Sequence, residues 1–329
     1  MKAIIVIPAA VPPMTLFFII FAAMKPTSLL LLRGTLALAV LAALPAAGHK
    51  RLKARIEAIA AQADAQVGVA VIVDGRETLT VNNSADYPLM SVFKFHQALA
   101  VADFMRRTGL APDDSVYVSR EDMRPDTWSP LRDLYPGGDC RITLRRLLEY
   151  SLQQSDNNAC DILFGLTGGP RRTAGYLRGL GLRRFDIVAT EDDMHRRPEL
   201  CYANRTSPLE AARLLELFET GAAGNDPIAG LIRELMTGCL TGADRLMLPL
   251  AGTGAVAGHK TGTSDLNAEG RRPGTNDIGF VRLPSGRRYV LAVFVKDSAE
   301  APVVNARIIA DISRAVLRYV QGLDPLEEP

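Results

Sequence analysis

The sequence predicts an α/β fold in which both ends of the chain supply one antiparallel sheet and a helical block is inserted between them. Two strand pairs and a helix-rich middle carry that expectation. Near the start, GVAVIVDGRETLTV (68–81) reads as two strands turning at Asp74-Gly75, a dipeptide that tolerates positive φ at both turn positions. Near the end, IGFVRLPSGRRYVLAVFV (278–295) reads as a second pair turning at Pro284-Ser285-Gly286. Between roughly 90 and 240, apolar residues recur at helical spacing in FHQALAVADFMRRTG, TLRRLLEYSLQQ, ACDILFGLT and SPLEAARLLELFETG.

The remaining elements complete the scheme. Residues 50–66 place Leu52, Ile56, Ile59 and Ala60 on one helical stripe. GAVAGHKTGTS (254–264) supplies a fifth strand. Asn305 to Gln321 is a closing helix with Ile308, Ile309, Ile312, Val316 and Val320 apolar. The expected division is 49–85 with 244–329 as the α/β domain and 86–243 as an all-helical domain. Small-molecule pockets commonly form in such a crevice.

The first 48 residues read as an address rather than as fold. Lys25 and Arg33 precede an uncharged Leu/Ala-rich stretch, Gly34 to Gly48, which ends on small residues suited to a signal peptidase. Cleavage near Gly48 would release an exported, periplasmic or secreted chain. An earlier apolar run, Ala3 to Met24, is broken by Pro8, Pro12 and Pro13. Residues 1–23 are read as upstream of a start at Met24, the alternative being a membrane tether.

Composition excludes several classes. The 329 residues are 48% hydrophobic and 22% charged, enough to bury a large core. Lys+Arg total 38 against 36 Asp+Glu, a net +2 that suits no electrostatic reader of nucleic acid. His49, His96, His195 and His259 lie far apart without HxH or HExxH spacing, so no metal is expected. GxGxxG and GxxxxGK[ST] patterns are absent, and no cofactor is implied. Cys140, Cys160, Cys201 and Cys239 allow three complete pairings or none.

Three short motifs carry chemistry. Ser91-Val92-Phe93-Lys94 opens a helical run, and residues i and i+3 share a helix face, so the ammonium can lie against the hydroxyl. A buried lysine can then accept the serine proton; the plainer alternative is that Ser91 caps the helix. Ser155-Asp156-Asn157 follows the helix TLRRLLEYSLQQ. Lys260-Thr261-Gly262 lies on the fifth strand, where a glycine marks close approach of a ligand or another backbone. Each motif alone is weak; the ordered set, each on its expected element, is not.

With these motifs the chain resembles the serine penicillin-recognising enzymes, and among them the class A β-lactamases. The resemblance spans about 50–325 and implies their fold, a five-stranded antiparallel sheet flanked by terminal helices plus an all-helical domain. It implies Ser91 as acylated nucleophile, Lys94 sharing in its activation, and Ser155 delivering a proton to the β-lactam nitrogen. Asn157 would bind the substrate's amide side chain. Lys260 and Thr261 would hold its carboxylate, with Gly262, Thr263 and Ser264 continuing the binding strand. Backbone N–H groups of Ser91 and Thr263 would form the oxyanion hole.

Turnover needs a further carboxylate. Arg197-Pro198-Glu199-Leu200 has the family's R-x-E start, but the following residues do not match. Glu191 lies 36 residues after Ser155, the usual separation, and is chosen as the deacylating base. Four residues on, His195 replaces the usual Asn; Ala189 replaces the loop arginine, and Asp161 stands where Asn is usual. These departures resemble a divergent branch with broad cephalosporin activity, and the missing Arg–carboxylate latch leaves the loop without an obvious fastening. A neutral His195 could orient the water. Arg245, rather than Arg271 or Arg272, is expected to reinforce the carboxylate site. Trp128 is expected at the cleft mouth.

The resemblance implies a monomeric enzyme for β-lactam substrates, with no nucleic-acid or stable membrane partner. A peptidoglycan D,D-peptidase and a non-turnover penicillin sensor carry the same three motifs and are the alternatives.

Overall fold

The computed structural model describes residues 47–326. The expected leader over 1–48 falls outside them, apart from its last two residues. Among the described residues, 51–326 form one compact unit. No helix among them is long and apolar enough to cross a membrane.

The helix α1 (51–60) is followed by the first hairpin, β1 (Gln66–Val73) and β2 (Glu77–Val81). Asp74 and Gly75 both take positive φ, 51° and 69°, and Arg76 N–H donates to Val73 O, as the Asp-Gly signal requires. At the far end come β3 (Val256–Thr263), β4 (Arg272–Arg282) and β5 (Arg288–Ser298). The five strands order as β2-β1-β5-β4-β3, antiparallel throughout. The two terminal strands β1 and β5 are paired at the centre, from Gln66↔Lys296 to Val73↔Tyr289. The sheet therefore closes only when both chain ends are present.

Both faces of the sheet are covered, which explains why β1 reads as a continuous apolar run rather than an alternation. Val69, Val71 and Val73 face a core with Leu52 and Ile56 of α1 and Ile309, Ile312 and Val316 of the last helix. Ala70 and Ile72 face the other core, with Phe95, Leu99 and Phe218 from the helical block. Each such side chain contributes about 1.5–3 kcal/mol by leaving water.

The helical block supplies α2 (Phe93–Thr108), α3 (Pro130–Leu134), α4 (Leu144–Gln153), α5 (Asn157–Thr167), α6 (Pro170–Gly179), α7 (Glu191–Arg196), α8 (Pro208–Glu219) and α9 (Pro227–Thr237). The closing helix α10 runs Pro302–Val320, starting three residues earlier than expected because Pro302 serves as its first residue. A small three-stranded sheet pairs Tyr87–Pro88 and Phe185–Asp186 with Arg205–Thr206. It closes the base of the loop between 186 and 205 and holds it beside the start of α2. The four cysteines are all free thiols.

Candidate active site

A single helical turn, Met90–Val92, leads into α2. Val92, Phe93 and Phe95 are buried and pin this turn against the core. Met90 sits at φ 47°, a left-handed conformation uncommon for a residue with a side chain. The adjoining strand explains part of the geometry. A Cβ on Gly262 would lie 2.8 Å from Leu89 O and 2.9 Å from Met90 Cβ, so the close approach expected from that glycine is to another backbone. The Ser91 hydroxyl caps no helix. It faces charge instead.

Lys94 is fully buried yet well paired. Its Nζ lies 3.1 Å from Ser91 Oγ, 2.7 Å from Ser155 O, 2.6 Å from Asn157 Oδ1 and 2.8 Å from Glu191 Oε1. An ammonium has three N–H groups for these four acceptors, so one contact is always available for exchange. Ser91 Oγ donates to the same Glu191 Oε1 at 3.3 Å. Serine and lysine thus meet at one carboxylate oxygen. Asn157 is fixed from both ends, because its Nδ2 donates to Thr127 Oγ1 at 2.7 Å. Asp156 is a buried cap of α5 that accepts from Ala159 N, Leu131 N and Ser129 Oγ, fastening α3 to the motif.

The loop that carries Glu191 is fastened without an Arg–carboxylate latch. Asp161 on α5 accepts the backbone N–H groups of Glu191 at 2.9 Å and Asp192 at 2.8 Å. Burial, with Glu191 beside it, raises its pKa to about 7 against the opposing pull of those amides. Buried Asn204 accepts from Val188 N and Ala189 N and donates to Ala189 O, while its own carbonyl accepts from Leu89 N. Thr190 and Asp193 form a reciprocal capping box at the start of α7. The T-x-x-D spacing is a signal that could have marked this helix start; Asp161 stood out only as a replacement of the usual Asn, and Asn204 had no local signal.

The opposite wall is β3. Lys260 is also fully buried, and its Nζ donates to Ser155 Oγ and Thr261 O, both at 2.9 Å. It has no carboxylate within ion-pair distance among the described contacts, and burial lowers its pKa to about 8. Thr261 Oγ1 lies 2.6 Å from Thr241 Oγ1, a partner that sequence inspection did not single out. Arg245 reaches the strand as expected: it donates to Thr263 Oγ1 at 2.8 Å, Asn276 O at 3.0 Å and Gly262 O at 3.3 Å.

Between the walls lies a cleft of about 630 Å³. Asn157, Glu191, His195, Thr263 and Ser264 line it, as does Glu199. His195 follows Glu191 by one turn of α7. The Ser264 hydroxyl is engaged with the Gly274 backbone. Trp128 does not line this cleft: its ring is 63% exposed and its indole N–H donates to Gln154 O.

Comparison with known proteins agrees with this arrangement. Residues 51–320 match the model of the beta-lactamase enzyme family. A beta-lactamase of Bacteroides uniformis is 43% identical over 80% of this chain and 90% of its own. The extended-spectrum beta-lactamase PER-1 of Pseudomonas aeruginosa is 38% identical over 82% of this chain and 87% of its own. Among solved structures, a class A beta-lactamase from Bacteroides cellulosilyticus superposes with a TM-score of 0.80 at 37% identity, covering 84% of this chain and 99% of that one. The fastened carboxylate beside an SxxK serine, the antiparallel sheet and these matches have one common meaning: the chain belongs to the beta-lactamase enzyme family, as a class A serine β-lactamase.

Proposed function

We propose that the chain hydrolyses β-lactam antibiotics through a Ser91 acyl-enzyme that Glu191 deacylates, and that it thereby confers resistance. One observation carries this: Glu191 Oε1 lies within reach of both Ser91 Oγ, at 3.3 Å, and Lys94 Nζ, at 2.8 Å. In the first step Ser91 Oγ bonds to the β-lactam carbonyl carbon and its proton passes to the Lys94–Glu191 pair. The ring C–N bond breaks as Ser155 gives its proton to the nitrogen, and Lys260, hydrogen-bonded to Ser155, replaces it. The Lys94–Glu191 pair gives the proton taken from Ser91 to solvent and Lys260 regains one; in the second step Glu191 takes a proton from water, whose oxygen attacks the ester carbonyl carbon, the bond to Ser91 Oγ breaks, and Ser91 Oγ takes that proton from Glu191.

Lys260, Thr261, Thr263 and Arg245 form the end of the cleft that receives the substrate carboxylate, and the ester oxygen is held by the backbone N–H groups of Ser91 and Thr263. Asn157 binds the amide side chain. Gly262 lets the strand approach the nucleophile, Ser264 shapes the strand, His195 holds the hydrolytic water, and Trp128 borders the entrance. Cephalosporins are the favoured substrates; the wide cleft and similarity to extended-spectrum relatives support this.

The sheet with its two terminal segments, 49–85 and 244–329, is proposed as one domain and 86–243 as the other. The apolar cluster that holds Leu52, Ile56, Ile309 and Val316 is built from the two terminal segments alone and supports that division, while the other cluster joins the sheet to the helical block. The leader-like residues before 49 support export to the periplasm or medium, with the mature enzyme a monomer free of the membrane.

The test is nitrocefin hydrolysis by the purified chain beside Ser91→Ala and Glu191→Ala. Many turnovers per enzyme, abolished by Ser91→Ala, are expected. Glu191→Ala should still acylate and then accumulate the acyl-enzyme, seen as a mass increase of the intact protein. A stoichiometric burst from the unaltered chain would overturn hydrolysis in favour of a penicillin-capturing protein. Rapid steady turnover by Glu191→Ala would remove Glu191 from its role.

A further inference from the structure

The lining of the cleft runs past the residues that the hydrolytic mechanism uses. Beyond His195 it follows a turn of 3-10 helix, Pro198–Tyr202, where Pro198 and Tyr202 face the space. Beyond Ser264 it follows the connection from β3 to β4, where Leu266 and Asn267 do. Asn157, proposed to bind the substrate's amide, lines the same cleft. An acyl side chain carried on that amide would extend between these two walls.

A closed circuit of hydrogen bonds ties the walls together. Tyr202 OH donates to Asp297 Oδ1 at 2.5 Å, and Asn267 Nδ2 donates to the phenol oxygen at 3.5 Å. Asn267 fastens its own turn: its Oδ1 accepts from Arg271 N, and its backbone N–H donates to Arg271 O, both at 2.8 Å. Arg271 Nε completes the circuit by donating to Asp297 O at 2.6 Å. Three stretches of chain are thereby joined: the end of the Glu191 loop, the β3–β4 connection and the last turn of β5.

The backbone is set for this contact. Asp297 takes φ 51° inside β5. The ladder registers Lys296 with Gly274 and Ser298 with Arg272, but skips Asp297 and Pro273, whose nitrogen carries no hydrogen to donate. Released from the ladder, Asp297 turns its carbonyl to Arg271 and its carboxylate to Tyr202. Lys296 Nζ stands 3.9 Å from the other carboxylate oxygen. A left-handed residue with a side chain persists only where its surroundings hold it, and such residues gather at functional sites. Burial, then the hydrogen bond to Asp297, raises the pKa of Tyr202, so the phenol keeps its proton and donates.

We propose that Tyr202 is a specificity-determining positioning residue: bridged to Asp297 and Asn267, it fixes the spacing of the two walls and favours β-lactams whose acyl side chain is bulky enough to touch both. Its hydroxyl is engaged in the bridge and makes no bond to substrate. The gain is preorganisation, because a wall already in place need not be ordered when the side chain arrives. A small acyl group reaches neither wall and gains nothing. Glu191 is fastened separately, by Asp161 and Asn204, so the bridge acts on binding rather than on activation of water. The inference rests on the proposed hydrolysis of β-lactams in this cleft.

The experiment uses two cephalosporins that share one nucleus. One carries an acetyl group on the ring amine, the other a bulky aminothiazolyl-methoxyiminoacetyl group. In Tyr202→Phe, which keeps the ring and loses the hydroxyl, the KM ratio of bulky over small is expected to rise about 3- to 10-fold, with the kcat ratio held. A general loss of stability, or a misplaced Glu191, moves both substrates alike; an unmoved KM ratio would therefore overturn the proposal. Asp297→Asn keeps an oxygen for the phenol and should preserve most of the ratio, while Asp297→Ala should match Tyr202→Phe. The double variant Tyr202→Phe/Asp297→Ala should shift the ratio no further than either alone, and additive shifts would refute a shared bridge. Where Asp297→Ala does not fold, Tyr202→Phe decides.

A second arm, amide hydrogen exchange, needs no turnover. In Tyr202→Phe the amides of 198–203 and of 266–271 should exchange severalfold faster together, with those of α8 unchanged. Faster exchange on one wall only, or on neither, would show that the phenol does not join them. Concerted loosening in a chain that hydrolyses neither cephalosporin would sustain the bridge and reject the hydrolase proposal.

Discussion

Two lysines, equally buried, stand on opposite walls of one cleft and are treated differently by the fold. Lys94, on α2, meets the Glu191 carboxylate at 2.8 Å and two fixed oxygens besides. Lys260, on β3, meets only a hydroxyl and a carbonyl, and burial drives its pKa down to about 8. A buried charge without a counter-charge costs free energy, so it persists where something else supplies the missing anion. On the α2 wall the protein supplies it. On the β3 wall the proposed mechanism has the substrate carboxylate supply it. In that mechanism the Lys94–Glu191 pair takes the proton of Ser91, while Lys260 receives the carboxylate and restores the proton of Ser155.

Three changes test that contrast, in decreasing order of effect. Lys94→Ala removes the proton-transfer partner of Ser91 and leaves Glu191 without its ammonium. Acylation is expected to fall by about 10³-fold at every pH, measured by stopped-flow burst kinetics. A loss no greater than tenfold would break the distinction between the two walls.

Lys260→Ala should act on binding instead. Losing a charged hydrogen bond to the substrate carboxylate is worth about 1.5–3 kcal/mol, so KM should rise roughly 10- to 150-fold. The pH dependence carries a definite sign. The ammonium is present below a pKa of about 8 and is lost as pH rises through it, so KM should climb on the alkaline side. Lys260→Arg, charged throughout, should flatten that limb in a pH–rate profile. A limb that survives in Lys260→Arg would assign it to another group.

Asp161→Asn is the mildest. The carboxylate accepts two backbone N–H groups, at 2.9 and 2.8 Å, whereas an amide offers one oxygen and turns an N–H towards the second. One orphaned amide costs about 1–3 kcal/mol. Glu191 should lose its position, with kcat down about tenfold, KM little changed, and faster amide exchange at 191 and 192. Unaltered exchange there would show that Asn204 and the Thr190–Asp193 box hold the loop without Asp161.

The motifs were legible because their geometry is local. Ser91 and Lys94 are one helical turn apart, and Asp74-Gly75 carries its turn in its own backbone preferences. Gly262 announced a close approach, although not that the neighbour would be the backbone from Leu89 to Ser91. Spacing, with the mismatch after Glu199, chose Glu191 over Glu199, and Glu191 Oε1 lies 3.3 Å from Ser91 Oγ. Trp128 was placed at the cleft mouth by a resemblance of position; it is largely exposed and its indole N–H donates to Gln154 O.

What the sequence determined by itself was the sheet, the order of the three motifs and the family they mark, because turn chemistry and helical or strand periodicity act over a few residues. Only the tertiary structure decided which buried charge has a partner. Asp161 and Glu191 are 30 residues apart, and Lys260 and Ser155 are 105. Such contacts depend on how the helices and the sheet dock, and desolvation, which sets the chemistry of every one of these groups, does not exist until they do.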